Sequence, residues 1–447
     1  MKKYDVVVIG AGPAGYEAAL KVAGAGKKTL LIDRIKENIG GVCLNVGCIP
    51  TKNYLESAIF LSRVPYFENC GVSLEVNGFN FEQLKDKTTA LVKEIRSGVV
   101  WMLDQAKVEL LYGSANFLDA NTIQVADEKI GFDKCIIATG SYARELPQLP
   151  FDSKKILSST NIFELKSLPK SIAIVGGGPI GCEFATFFNA LGVEVTLLVR
   201  GERLLSKEDE ELSKALLRAF KKKDIKVLTL TTVSKYEIEN GGIKLFINSQ
   251  EDEFLECEVV LNASGRIPYT KGLNLENVNI KQDKRGFIEV TPSFESSQEN
   301  IYAIGDCINT PAFAHTAYAE ARITAQNIIN NTNKTNSHIT PTAVFTNPAI
   351  ASCGINETQA KEKGIEVNIK KVYFKVNAKA KIHGDDSGFV KIITKADSGV
   401  ILGACIIGVE ATEIIHEMII AIEKQLTTKE IDEIIHVHPS VCEIMRY

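Results

Sequence analysis

No run of 18 or more apolar residues occurs in the 447-residue chain, so no segment is long enough to cross a bilayer as a helix. Basic charge is not in surplus. There are 51 Lys and Arg against 55 Asp and Glu, a formal net charge of −4, which argues against a surface built for nucleic acid or an anionic membrane. Cysteine is scarce: the ten present show neither the paired CxxC spacing of a zinc site nor the density of a secreted disulfide scaffold. A reducing cytoplasm is the expected compartment. A signal-peptide cleavage site is missing as well. Met1-Lys2-Lys3 and the apolar residues 6–9 mimic a leader, but Gly10, Gly12 and Gly15 interrupt the run, and it reads as a first strand. The length and the 45% hydrophobic content suit two to four domains, each with its own core.

What the chain does contain is one supersecondary unit written twice. Residues 6–9 form a short β-branched run that ends in Gly10-Ala11-Gly12-Pro13-Ala14-Gly15. A helical pattern over 16–25 and a second strand over 29–32 follow, closing on Asp33. Strand, GxGxxG, helix, strand and acid make the dinucleotide fingerprint. The first two glycines permit a tight turn and close approach to a pyrophosphate, Gly15 lets helix pack on strand, and Asp33 can accept from a ribose diol. The unit returns at residues 171–175 with Gly176-Gly177-Gly178-Pro179-Ile180-Gly181, a helix over 183–191 and a strand over 194–199. Two fingerprints imply two dinucleotides and electrons passed between them. In the second copy the acid is replaced by Val199, followed by Arg200.

The most informative stretch is Gly40-Gly41-Val42-Cys43-Leu44-Asn45-Val46-Gly47-Cys48-Ile49-Pro50-Thr51-Lys52. In a regular helix two cysteines five apart have Cα atoms roughly 8–9 Å apart, whereas a disulfide wants about 4.4–6.8 Å. If the sulfurs pair, the segment is not a plain helix; otherwise it is a turn with two inert thiols. This wording resembles the redox segment of the flavin-dependent disulfide oxidoreductases. The resemblance implies a Cys43–Cys48 disulfide beside FAD, with Cys43 exchanging with substrate, Cys48 facing the flavin and Lys52 near its ring. It extends over residues 4–446. It makes the first glycine motif the FAD site and the second the nicotinamide site, with Glu183 as the acid that can pair with Lys52. Thr139-Gly140-Ser141, after a strand at 134–138, closes the first flavin segment. Ala263-Ser264-Gly265-Arg266 resembles the exit from the nicotinamide domain. Gly305-Asp306 carries the aspartate that binds the flavin's sugar-alcohol chain, and Ala314 opens a helix against the ring, where His315 lines the site without chemistry.

Between these motifs, 79–104 reads as a long amphipathic helix through Leu84, Leu91, Ile95 and Val99, with Trp101 as a packing residue. Residues 327–337 read as a polar linker. Beyond it lie strands near 344, 367–376, 389–394 and 401–407, and helices at 411–424 and 428–435. This block resembles the family's dimerisation domain. It ends in His436-Val437-His438-Pro439-Ser440-Val441-Cys442-Glu443. A metal site is one reading of that cluster; a histidine base oriented by a carboxylate is the other and is preferred, with no metal expected. By resemblance, His438 takes the proton of the exchange thiol, Glu443 fixes its ring, the His438–Pro439 bond is cis, and the base serves the disulfide of the other subunit.

The expected architecture is α/β: two Rossmann-like domains, for FAD and NAD(P), plus a C-terminal α+β dimerisation domain. The boundaries are 1–147 for the first FAD segment, 148–268 for the nicotinamide domain, 269–337 for the second FAD segment and 338–447 for dimerisation. Within the family, the extra His436 and the wording around Cys43, Ser97 and Phe313 resemble the dihydrolipoamide dehydrogenases. That implies a homodimer oxidising lipoyl groups of a carrier protein or a 2-oxo acid dehydrogenase complex. Arg200 and the stop at Tyr447 resemble instead the NADPH-driven reductases of low-molecular-weight disulfides such as glutathione disulfide. A non-catalytic flavoprotein redox sensor is the third reading. Arg200 suits a 2′-phosphate, but the second basic residue expected near it is Ser206, and Glu202 could serve a ribose. NAD and NADP both stay open.

Overall fold

A computed structural model describes residues 1–239, 241–248 and 253–446; Tyr447, the stop that bears on the subfamily, lies outside them. The chain forms two compact units. One comprises residues 1–50, 83–144 and 265–337, the other 51–82, 145–264 and 338–447.

The first unit is built on the strand Lys2–Ile9, whose residues 6–9 are all buried. Burial on both faces is what a β-branched run with no alternation predicts for a central parallel strand. Thr29–Asp33 flanks it on one side and Glu128–Ile137 on the other, both parallel. Glu109–Tyr112 extends one edge, and Ile301–Ala303 pairs parallel with Glu128–Ile137. Thr122–Val125 pairs antiparallel with Ala115–Asp119. The helices Pro13–Gly24 and Ala314–Asn330 pack against each other beside the sheet. Two sequence expectations change here. Trp101, on the helix Phe81–Gln105, is 63% exposed rather than packed, because the apolar stripe of that helix runs through buried Leu84 and Val99. Asn327 belongs to the helix rather than to a linker. It is buried, and its amide ties down Thr332 and Lys334 just past the helix end.

Among the described residues, the second unit holds three sheets. A parallel five-stranded sheet runs Lys226–Thr229, Glu194–Val199, Ser171–Val175, Val259–Asn262, Ile156–Ser158. An antiparallel three-stranded sheet covers Val233–Glu239, Gly242–Ile247 and Phe254–Cys257. The last has the order Thr342–Val344, Ala349–Gly354, Ile401–Gly408, Phe389–Lys395, Val367–Tyr373, all antiparallel. The helix Ala411–Glu423 buries Ile414, Ile415 and Met418 against it. Thr427 and Glu430 then form a capping box that starts the helix Thr428–Glu433, which delivers the chain to the histidine-bearing tail.

Candidate active site

The cysteine stretch is a broken helix. Gly41–Val46 carries Cys43, Gly47 breaks the helix at φ −142° and ψ −117°, and Cys48 starts the helix Cys48–Asn69. A Cβ on Gly47 would meet the Val42 carbonyl oxygen at 2.7 Å and the Cys43 Cα at 3.1 Å, so the break folds back on Cys43 only because residue 47 has no side chain. Asn45 holds the first short helix in place: its amide donates to the carbonyls of Ile39 and Gly41, at 3.1 and 2.9 Å, and its oxygen accepts from Arg96 Nε at 3.0 Å. Cys43 is half-buried and Cys48 exposed. Tyr16 and Tyr318 share a short hydroxyl–hydroxyl hydrogen bond in the same unit. Burial first, then that bond, pushes the Tyr16 hydroxyl up, and a charge on Cys43 adds to the effect.

The glycine motif of the first unit has the shape of a phosphate cradle. Gly10 has φ +103°, and a Cβ there would lie 2.3 Å from the Ala138 carbonyl oxygen; on Gly15 it would lie 1.7 Å from the Gly10 carbonyl oxygen. Only glycine fits either place. The helix Pro13–Gly24 opens on extended Gly12 with no side-chain cap and no acid in its first turn, so neither an N-cap side chain nor a first-turn carboxylate takes its first-turn N–H groups. Gly41 approaches so closely that its Cβ would stand 2.6 Å from Gly12 Cα. Asp33 accepts from Ala11 N and Arg34 N, each at 2.7 Å, and retains lone pairs on both oxygens. Asp306 sits in the turn Gly305–Cys307, accepting from Ser141 Oγ at 2.6 Å. Arg266 donates to Ser141 Oγ at 2.7 Å and to the Ser141 carbonyl at 2.6 Å, with its Nε 3.8 Å from Asp306. Thr139 and Gly140 hold the Tyr269 backbone, and Gly265 accepts from Arg144 N. Ala314 is the first residue of the helix Ala314–Asn330. An uncapped helix start, a bare backbone approach and an acid at the strand end are the donor and acceptor set that a dinucleotide pyrophosphate and ribose require, and FAD fits.

Sequence reasoning assigned no role to three members of this unit. Ser141 and Arg266 brace Asp306, and Glu320 accepts from Gly305 N at 2.6 Å. Arg266 and Ser141 stood inside recognised motifs. Nothing in the pattern around Glu320 distinguishes it from an ordinary helix position.

In the second unit Lys52 Nζ lies 2.8 Å from both oxygens of Glu183, whose side chain is only 5% exposed. Phe345 N also donates to Glu183, and Lys52 stands over the Phe345 ring. The expected Lys52–Glu183 pair is therefore formed. The second glycine motif repeats the first closely. Gly176 has φ +125° with 2.4 Å to the Ala263 carbonyl oxygen, and Gly181 has 1.9 Å to the Gly176 carbonyl oxygen. Gly178, like Gly12, opens its helix uncapped. The difference lies at the strand end. Val199 is buried, its methyls 2.8 and 2.9 Å from where a Gly177 Cβ would be, so an apolar side chain packs under the loop where the first copy has an acid. Arg200 and Glu202 are both exposed.

At the chain end His438 Nδ1 lies 2.9 and 3.2 Å from the two oxygens of Glu443. Glu443 also accepts from Ser440 N at 2.8 Å. That backbone bond first, then His438, holds its carboxyl below the usual carboxylate range. The Glu443 side chain is 8% exposed and that of His438 72%. With Nδ1–H committed to the carboxylate, Nε2 is the basic nitrogen. The His438–Pro439 bond is cis, as expected, and so is Asn347–Pro348. No cluster of metal-ligating side chains is found among the described residues, nor any helix long and apolar enough to cross a membrane.

Residues 4–321 match the family described as pyridine nucleotide-disulphide oxidoreductase, and residues 340–447 match the dimerisation domain of the same family. The chain is 36% identical to a dihydrolipoyl dehydrogenase of Geobacillus stearothermophilus, over 98% of this chain and 94% of that one. It is 35% identical to that of Chlamydia pneumoniae, over 99% and 95%. Among solved structures, the flavoprotein disulfide reductase RclA of Escherichia coli superposes with a TM-score of 0.89 at 25% identity, covering 98% of each chain. LpdA of Mycobacterium tuberculosis superposes at 0.92 over 100% and 98%, and at 24% identity shows the fold alone.

Proposed function

Because this chain belongs to the pyridine nucleotide-disulphide oxidoreductases, we propose that it is a dihydrolipoyl dehydrogenase, a homodimer that oxidises the dihydrolipoyl groups of a carrier protein or 2-oxo acid dehydrogenase complex. The observation that carries the reading is the His438–Glu443 pair. It is a base with one nitrogen pinned at 2.9 Å and the other open, in a chain whose Cys43 and Cys48 stand on either side of the helix break at Gly47. Likeness to dihydrolipoyl dehydrogenases over 94% or more of their length supports the substrate class.

When bound, FAD and the nicotinamide supply the hydride chemistry that carries two electrons from a dithiol to NAD(P)⁺. FAD is held by Gly10, Gly12, Gly15, Asp33, Asp306, Thr139, Gly140 and Ala314; Lys52, four residues after Cys48 in the chain, is paired to Glu183. The nicotinamide is held by Gly176, Gly178, Gly181 and Arg200, with Gly265 at the exit of that domain. The protein's own residues perform the thiol exchange. His438 Nε2 removes a proton from a dihydrolipoyl thiol, since only the thiolate attacks a disulfide. The thiolate attacks Cys43 Sγ, the Cys43–Cys48 bond breaks, and Cys48 leaves as a thiolate. The second lipoyl thiol then attacks the lipoyl sulfur of the mixed disulfide, the bond to Cys43 breaks and the cyclic disulfide departs; the proton of that second thiol passes to the leaving Cys43 sulfur, while His438 keeps the first proton and Cys48 stays a thiolate. Glu443 holds the imidazole in the tautomer this requires.

The four-segment division at 147, 268 and 337 is retained as our reading, supported by the repeat of the glycine motif. A cytoplasmic location is our assignment as well, resting on the small number of cysteines. The test is anaerobic steady-state kinetics of the purified protein with dihydrolipoamide and NAD⁺ or NADP⁺, set against glutathione disulfide with NADH or NADPH. Dihydrolipoamide turnover should exceed glutathione disulfide reduction by orders of magnitude. A preference for glutathione disulfide would overturn the substrate assignment and leave the relay intact.

A further inference from the structure

Two residues before the base, His436 is placed in a way its neighbours are not. Between the helix Thr428–Glu433 and buried Val441, the segment turns its side chains outward: Ile435 is 96% exposed, Val437 78% and the His438 side chain 72%. The His436 side chain is 6% exposed. The inward anchor of the segment is thus a polar ring, and both its nitrogens are engaged. Nδ1 lies 3.0 Å from the Ile434 carbonyl oxygen, and Nε2 lies 2.8 Å from Oε1 of Glu417 on the helix Ala411–Glu423. Ile415 and Met418 belong to the apolar cluster of this domain, with Cys442 packed against it.

A neutral imidazole has one N–H and one lone pair. A carbonyl oxygen has no proton to give, and an ionised carboxylate has none either. A neutral ring could satisfy only one of the two partners and would set a lone pair against the other at hydrogen-bond distance. Both contacts are hydrogen bonds only if the pair carries an additional proton. Imidazole is the more basic partner, so that proton belongs on the ring. We propose that His436 is a positioning residue for the exchange reaction: doubly protonated, with Glu417 as counter-ion, it clamps the base-bearing segment to the domain through both ring nitrogens. The consequence is mechanical. Val437 alone separates the clamped ring from His438, so the backbone carrying the base is fixed on one side by His436 and on the other by the Glu443–Ser440 bond. Placement of a general base to within a fraction of an ångström is what such anchoring supplies.

The inference rests on the exchange chemistry proposed above, but its first test does not depend on the substrate. With only six histidines in the chain, selective ¹⁵N-histidine labelling resolves the rings by NMR, and His436→Phe identifies the signal. Wild-type His436 should show two protonated nitrogens at neutral pH. In Glu417→Gln the amide can donate to Nε2, so Nε2 should become an acceptor while Nδ1 stays protonated. A wild-type ring with one bare nitrogen would overturn the clamp. The second test is kinetic. His436→Phe and Glu417→Leu should lower kcat with dihydrolipoamide by about tenfold or more, while hydride exchange between nicotinamide and FAD and the dimer mass stay unchanged. Glu417→Gln should recover most of the turnover lost in Glu417→Leu. Equal loss in both half-reactions, or none in either, would reduce His436 to an ordinary structural residue. If the wild type fails to turn over dihydrolipoamide, the function proposal falls while the NMR result still stands.

Discussion

At the residue scale, the reading depends on which atom of each side chain is committed and which is left open. His438 has Nδ1 fixed to Glu443, so replacing either partner should damage different parts of one task. His438→Gln removes the base and should cut thiol–disulfide turnover by 10²- to 10⁴-fold, with hydride exchange between nicotinamide and FAD intact in stopped-flow traces. Glu443→Gln should cost less, because it loosens the ring without removing its nitrogen. The nicotinamide end turns on two adjacent positions. Val199 packs under the second glycine loop and offers no acceptor for a ribose hydroxyl, while Arg200 is an exposed cation at the strand end. If Arg200 meets a 2′-phosphate, Arg200→Ala should weaken NADP(H) relative to NAD(H) by about 1–3 kcal/mol, the worth of one charge-assisted bond. Titration of both nucleotides onto the flavoprotein measures this. Equal weakening of both would place Arg200 outside the phosphate site.

At the scale of elements, the second unit contains an ion network that no motif announces. Lys391, on the strand Phe389–Lys395, has a side chain 1% exposed; its Nζ lies 2.7 Å from Asp209 and 3.0 Å from Glu211 and also bonds Glu357. Asp209 caps the helix Glu210–Lys222, and Glu357 opens the helix Glu357–Glu362. One buried ammonium therefore ties two helix starts to the sheet. Lys391→Met should destabilise the fold by about 3–5 kcal/mol in chemical denaturation, because buried Asp209 loses its counter-ion, Glu357 loses this partner and Glu211 is left with Lys371. The pH dependence has a definite sign. Burial pushes the Glu211 carboxyl up, but hydrogen bonds from Lys371 and Lys391 outweigh it and hold the carboxyl below its ordinary value. Its stabilising contribution is therefore present above the unfolded carboxylate range and is lost as pH falls through the lowered native value. The wild-type advantage over Lys391→Met should shrink on acidification. An advantage that grew towards low pH would mean the acids are not held ionised by this lysine.

At the scale of the whole molecule, the tail of one protomer leaves Ile435 and Val437 almost fully exposed beside the base. If His438 serves the Cys43–Cys48 pair of the other chain, Cys43→Ser and His438→Gln homodimers should both be inactive in thiol exchange. Mixed dimers carry both lesions in one site and neither in the other. Turnover should return on subunit exchange, approaching one working site per mixed dimer. Mass-verified exchange without recovered activity would put base and disulfide in the same subunit.

Where chemistry is local in the chain, it was legible before any coordinates. The two glycine motifs, Asp33, the cysteine pair around Gly47 and the histidine five residues before Glu443 are short-range patterns, because a turn, a helix start or a ring-to-carboxylate bond is made by residues close in sequence. Folding brought the Lys52–Glu183 pair together across 131 positions, and family resemblance alone had suggested it. Side-chain periodicity carries no record of partners that distant. The bracing of Asp306 by Ser141 and Arg266, the Lys391 network, the outward turn of Trp101 and the two-sided hold on His436 were decided by packing. Each depends on which faces of separate elements meet, and a helix or strand pattern is the same whichever partner it finds.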